Sequence, residues 1–102
     1  MHLIQILLPL FDNAGQRLPQ ELYRQVSAHL TERFGGLTAF TRAPAEGLWQ
    51  EGDEDTTRDE IVIYEVLAET LDTDWWSAYR AELETQFRQE RIIIRAQETQ
   101  LL

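Results

Sequence analysis

Three polar side chains interrupt the most apolar stretches of the sequence. Gln5 sits within Leu3–Leu7, Glu65 within Ile61–Leu67, and Arg95 directly after Ile92-Ile93-Ile94. A carboxylate can move a proton, a guanidinium can hold an anionic oxygen, and an amide can bond to both. Glu65, Arg95 and Gln5 are therefore the candidate catalytic residues. With Trp49 they are also the candidate ligand-binding residues. A structural role competes with a catalytic one, because ion-pair networks also arise without catalysis. Glu65 and Arg95 as a buried ion pair would stabilise the fold only weakly, but such a pair can set the register of an interface. The structural role is the preferred reading.

The other chemically capable residues point to less. His2 begins the first strand and reads as a partly exposed strand end; His29 reads as a boundary residue of the first helix. Their separation matches neither HxxxH nor HxH, so no metal site is expected. The acidic run from Asp53-Glu54-Asp55 to Asp59-Glu60 lacks the ligand alternation and central glycine of a calcium loop, and Arg58 lies inside it. It reads as a solvated loop. Trp75 and Trp76 both fall in a helical apolar stripe and read as core, not as an aromatic cage. Trp49, beside Gly47, fits a pocket mouth or a subunit contact. There is no glycine-rich phosphate loop, GxSxG elbow or nucleotide fingerprint, and no cofactor is expected.

Charge and composition narrow the partners. Eighteen acidic residues stand against nine arginines, with no lysine, for a net charge of −9. Nucleic acid and anionic membrane surfaces are poor partners for that balance. The chain has no cysteine, which removes disulfides, thiol catalysis and cysteine-held metals. The longest apolar stretch, Leu3–Phe11, is too short to span a bilayer and lacks the flanks of a signal peptide. A cytoplasmic protein is expected, with residues 1–102 forming one domain.

The pattern places these residues on six elements. His2–Leu10 reads as a strand apolar on both faces, and so central in a sheet. Pro19–Phe34 reads as a helix, started by proline and stopped by Gly35-Gly36. Leu37–Arg42 is a short strand. A long connection follows, which Leu48-Trp49 would shorten by extending a hairpin. Glu60–Leu67 is a strong strand. Asp72-Thr73-Asp74 opens a second helix running from about Asp74 to Gln89, with Glu84 and Arg88 paired four apart. Arg91–Gln97 is the last strand. The order βαββαβ predicts an α+β, ferredoxin-like fold: a four-stranded antiparallel sheet with two helices on one face.

Helices on one face leave the other bare. Charged Glu65 and Arg95 should avoid the helix layer. Val62, Tyr64, Val66, Ile92, Ile94 and Ala96 then lie under the helices, with Ile4, Ile6 and Leu8. Leu3, Leu7, Ile61, Ile63, Leu67 and Ile93 fall on the bare face. Six large aliphatic residues there call for a cover, and a second copy of the sheet is the simplest. The alternative is that Gln100–Leu102 or the long hairpin folds over them.

The chain resembles the dimeric α+β barrel superfamily, which includes antibiotic-biosynthesis monooxygenase-like proteins. Arg33-Phe34-Gly35-Gly36-Leu37-Thr38, followed by Gly47-Leu48-Trp49, also resembles small bacterial families of unknown function with this architecture. The resemblance implies the fold and a homodimer. Two functions follow as expectations. One is a homodimeric module that binds a small apolar ligand or a partner on the bare sheet face. The other is a cofactor-independent oxygenase- or isomerase-like enzyme, with Arg95 holding an anionic oxygen and Glu65 moving a proton.

Overall fold

The computed structural model describes residues 1–51 and 55–102, and for 41–51 and 55–59 the course of the backbone only. The elements are β1 (His2–Pro9), α1 (Gln20–Phe34), β2 (Thr38–Glu51), β3 (Asp55–Ala68), α2 (Thr73–Gln86) and β4 (Ile93–Glu98). The sheet order is β2-β3-β1-β4, with every neighbouring pair antiparallel. This is the ferredoxin-like α+β arrangement that the element order predicts.

The face assignment follows the alternation of the strands. Ile4, Ile6 and Leu8 of β1 and Val62, Tyr64 and Val66 of β3 are buried against both helices. Tyr23, Val26 and Leu30 come down from α1, and Trp76, Tyr79 and Leu83 from α2, with Phe87 just beyond it. No charged residue is buried as a whole among the described residues, although the side chain of Asp12, beside Arg88, is only 5% exposed. None of the described helices is long and apolar enough to cross a membrane.

Local chemistry sets the helix ends. Pro19 stands extended at the start of α1, and Gly35 closes it in the left-handed region at φ 81°. Glycine is favoured there because a side chain strains that conformation. Asp72 caps α2 by accepting the Trp75 backbone N–H at 3.1 Å. α2 ends at Gln86, earlier than its sequence pattern indicates. Arg88 takes φ 53° and leaves the helix, so the expected Glu84–Arg88 helical pair does not form. Glu84 Oε2 instead accepts the Ile92 N–H at 2.9 Å, tying α2 to the start of β4.

Three further expectations need correction. The short β2 and long connection are one extended hairpin, with Leu48 and Trp49 inside β2. Asp55–Glu60 belongs to β3 rather than to a loop; Asp53 and Glu54 lie outside the described residues. The hairpin ladder slips between Phe40, opposite Ile63, and Ala45, opposite Ile61. Pro44 falls in that slip, where its missing N–H breaks no ladder bond. Ala96 does line a hollow beside Trp76 and Arg80, but at the sheet edge it stays exposed.

Trp75 is the other departure. It is half-buried at the helix flank while Trp76 enters the core. The Arg33 guanidinium lies 4.1 Å from the Trp75 ring centroid. Exposed His29 stacks on Trp75 and Tyr79, at 5.9 and 5.1 Å between ring centroids. The wheel stripe was wide enough for both tryptophans, but the groove between the helices admits one fully.

Tyr23 joins α1 to β1. Its hydroxyl donates to the Pro9 carbonyl, and its ring meets Phe87 edge-on. Burial pushes its pKa up to about 12, with Arg17 pulling weakly the other way. Burial also raises that of Tyr79. The folded chain thus holds these protons more tightly than the unfolded chain, whose tyrosines titrate near about 10. The stability they confer is complete below about pH 10 and falls as pH rises toward about 12. Urea unfolding at about pH 9 and about pH 11 should show this loss, and Tyr23→Phe should reduce it.

Candidate functional site

β1 lies between β3 and β4, and its register sets the site. Gln5 is opposite Glu65 on one side and opposite Arg95 on the other. Thr38 of β2 continues the row beyond Glu65. Gln5 Nε2 donates to Glu65 Oε1 at 2.6 Å, and Arg95 Nε donates to Gln5 Oε1 at 2.7 Å. Guanidinium donates only and carboxylate accepts only, so the amide can face just one way. The row runs Arg95→Gln5→Glu65, with a charge at each end and a neutral relay between.

The candidate residues are thus brought together, but not as a buried ion pair. β3 and β4 flank β1 and stand about 10 Å apart, two strand spacings. Gln5 fills that gap. Gln5 and Glu65 are half-buried, and Arg95 is exposed. Glu65 Oε2 has no hydrogen-bond donor among the described residues.

Apolar rows flank the polar one. Phe40, Ile63, Leu7 and Ile93 form the row on one side. Leu67 and Leu3 form the other, continued by Gln97, while Ile61 lies opposite Pro9. All six aliphatic interface candidates therefore share the helix-free face. Leu67 is 41% exposed there. Sequence reading missed Phe40, which is 50% exposed. Its position two residues after Thr38 marks the same face, but so short an apolar segment left the phase of β2 open.

A cleft opens where this face meets the end of α1. It holds about 380 Å³ and is lined by Leu3, Phe34, Thr38, Glu65, Leu67 and the Gly35-Gly36 turn, among others. Glu65 is its only ionisable lining residue among the described residues. No periodicity in the sequence signals it, because a turn and three strands build it together. Other hollows lie elsewhere, among them one of about 330 Å³ beside Arg17 and Tyr23 and one of about 440 Å³ beside Arg33 and Trp75, neither of which reaches Gln5, Glu65 or Arg95. The hollow of about 170 Å³ beside Trp76 and Arg80 does include Arg95 in its lining.

The remaining candidates stand apart. Trp49 is opposite Thr57, eight residues along β3 from Glu65, or roughly 26 Å of strand. It does not join the row within one chain, and its side chain lies outside the described residues. His2 is half-buried at the start of β1, and His29 is exposed on α1. Among the described residues, no three metal-ligating side chains gather.

Comparison with known protein families and with curated proteins finds no match. Solved structures do match. Phage SAM lyase in complex with S-methyl-5′-thioadenosine aligns at a TM-score of 0.64 and 17% identity, over 95% of this chain and 80% of that one. Its apo state aligns at 0.58 and 16%, over 94% and 78%. This chain shares the fold of phage SAM lyase. At such identity the likeness extends to the fold alone.

The row has a measurable worth. Gln5→Leu deprives half-buried Glu65 of its donor, which should cost about 1–3 kcal/mol of stability. Adding Glu65→Leu should recover much of that loss, since aliphatic groups replace buried polar pairs well. Urea unfolding of the single and double variants measures both effects.

Proposed function

We propose that this protein is a single-domain, homodimeric small-ligand-binding module of the dimeric α+β barrel kind. The helix-free sheet face is the subunit interface, and the cleft beside Glu65 holds the ligand. The carrying observation is the Arg95→Gln5→Glu65 row, a fixed polar line inside an otherwise apolar face. Burying each of the six aliphatic residues contributes at most about 1.5–3 kcal/mol. A cover of the same chain offers that burial twice over, once on each copy.

The cleft volume of about 380 Å³ suits a small molecule. Leu3, Leu67 and Phe34 would hold an apolar arm or a flat ring. Glu65, as an acceptor, would take a hydroxyl, an amine or a cation, and the net charge of −9 disfavours anions. S-methyl-5′-thioadenosine, the ligand of the phage SAM lyase complex, combines a flat ring, hydroxyls and an apolar thioether. It is the natural first probe.

A second reading is favoured by the lyase activity in that protein's name. Here the chain is a cofactor-independent enzyme on a small organic substrate. Glu65 would move a proton, and Arg95 would hold an anionic oxygen.

Light scattering at micromolar concentration should give a dimer, and Ile63→Asp should dissociate or aggregate it. A wild-type monomer would overturn the dimer. Calorimetry with S-methyl-5′-thioadenosine should show binding that Glu65→Leu weakens by about tenfold or more. Undiminished binding in that variant overturns the site, and no binding to wild type overturns the nucleoside-thioether class. Turnover of S-adenosylmethionine, followed by chromatography, would favour the enzyme.

A further inference from the structure

We infer that the hollow between α1 and β3 is a second binding site, which takes a small organic carboxylate with an apolar body. The carboxylate sits between the Arg17 guanidinium and the Tyr64 hydroxyl. Tyr64 and Glu65 follow each other in β3 and so point to opposite faces. The site lies on the helix side of the sheet and depends on neither the Glu65 cleft nor the homodimer.

The hollow holds about 330 Å³, and its lining includes Leu10, Arg17, Leu18, Tyr23, Val62 and Tyr64. Its side toward β2 is bordered by Ala39, which pairs with Tyr64 and is exposed. A methyl group is too small to close that side. No carboxylate lines the hollow among the described residues.

Three polar heads converge on it. Tyr64 is only 4% exposed, and its hydroxyl has no hydrogen-bond partner among the described residues. No fully buried side-chain oxygen among them lacks a partner, so this hydroxyl opens onto the hollow. Buried phenols ordinarily find a partner, and here a ligand oxygen can be that partner. Tyr23 gives its proton to the Pro9 carbonyl. Burial raises its pKa to about 12, while Arg17 pulls it down and Tyr64 pushes it up. Those two influences put all three heads near one another, and the protonated Tyr23 adds no negative charge.

Arg17 is positioned before any ligand arrives. Its backbone bridges to Phe11, and the next residue, Leu18, donates its N–H to the Leu10 carbonyl at 2.9 Å. Asp12 Oδ1 accepts the Ala14 and Gln16 amides, each at 2.9 Å. The guanidinium lies 5.9 Å from the Phe11 ring centroid. Among the described residues it pairs with no carboxylate, and Glu21 at the start of α1 turns to Arg24 at 3.7 Å. A cation fixed in this way loses little freedom on binding.

The chemistry selects the ligand. A guanidinium and a hydroxyl donor match the two oxygens of a carboxylate. Leu10, Leu18 and Val62 match an aliphatic or aromatic body. A phosphate dianion would meet a single cation and an apolar wall. The net charge of −9 opposes any anion from afar, but charges beyond about 10 Å are largely screened at moderate salt. The adjacent guanidinium outweighs them.

Phenylacetate is the probe, titrated into the full chain and followed by NMR shifts of amides and tyrosine rings. It should bind saturably at millimolar concentration or below, with shifts centred on Arg17, Tyr23 and Tyr64. Phenylacetamide, which has the same body without the charge, should bind about tenfold more weakly or worse. Arg17→Gln should weaken phenylacetate by about tenfold or more, and Tyr64→Phe by several-fold. Glu65→Leu should leave it unchanged. Circular dichroism checks that each variant folds, and exposed Arg17 can be replaced without opening the core. A lack of saturable binding would overturn the site. So would shifts centred on the Glu65 cleft, or undiminished binding to Arg17→Gln. Equal binding of phenylacetamide or of inorganic phosphate would overturn the carboxylate class.

Discussion

A glutamine amide has two ends that cannot be exchanged once its neighbours are charged. Gln5 sits in a central strand with a guanidinium on one side and a carboxylate on the other. The first can only donate and the second can only accept. That single constraint fixes the direction of the polar row and holds Glu65 at the edge of its cleft. It also gives the bare sheet face a polarity that an all-aliphatic face would lack. The strands bring these residues level. The amide makes them one unit.

The helix side supplies the rigidity this needs. β1 and β3 bury every second residue beneath α1 and α2. A one-residue slip of either strand would expose that apolar set and bury Glu65 or Gln5 instead. Register on the core side thus fixes alignment on the far side. The Tyr23 hydroxyl on the Pro9 carbonyl and the Glu84 carboxylate on the Ile92 N–H secure α1 to β1 and α2 to β4. Two of the three strands that carry the row are therefore tied to helices by polar bonds as well as by packing.

Much of this was legible in the sequence, and the reasons differ by residue. Alternation placed Ile4, Val62 and Val66 in the core. It also placed Leu3, Ile63 and Glu65 on the opposite face, because a strand has only two faces and a charge excludes one. Gln5, Glu65 and Arg95 stood out as polar breaks in aliphatic runs. Their bridging geometry did not, since it depends on register across three strands. The end of α2 was misjudged because Glu84 and Arg88 have helical spacing, while the turn at Arg88 answers to tertiary contacts. Asp55–Glu60 looked like a loop because strands seldom carry so many acids. The ladder with β2 overrode that preference. The cleft left no trace, as its walls come from segments distant in the chain.

The slip in the β2–β3 ladder reaches beyond local geometry. β2 is an edge strand, and an edge strand offers unpaired amides and carbonyls to any passing chain. Between Phe40 and Ala45 that row of groups is out of step, and Pro44 has no amide hydrogen to give. The opposite edge, β4, spans only Ile93–Glu98 and carries Arg95 and Glu98. Neither border offers a long, regular template for adding strands sideways. Open-ended growth into fibrils is thereby discouraged in the plane of the sheet, and the flat side is left as the surface for association.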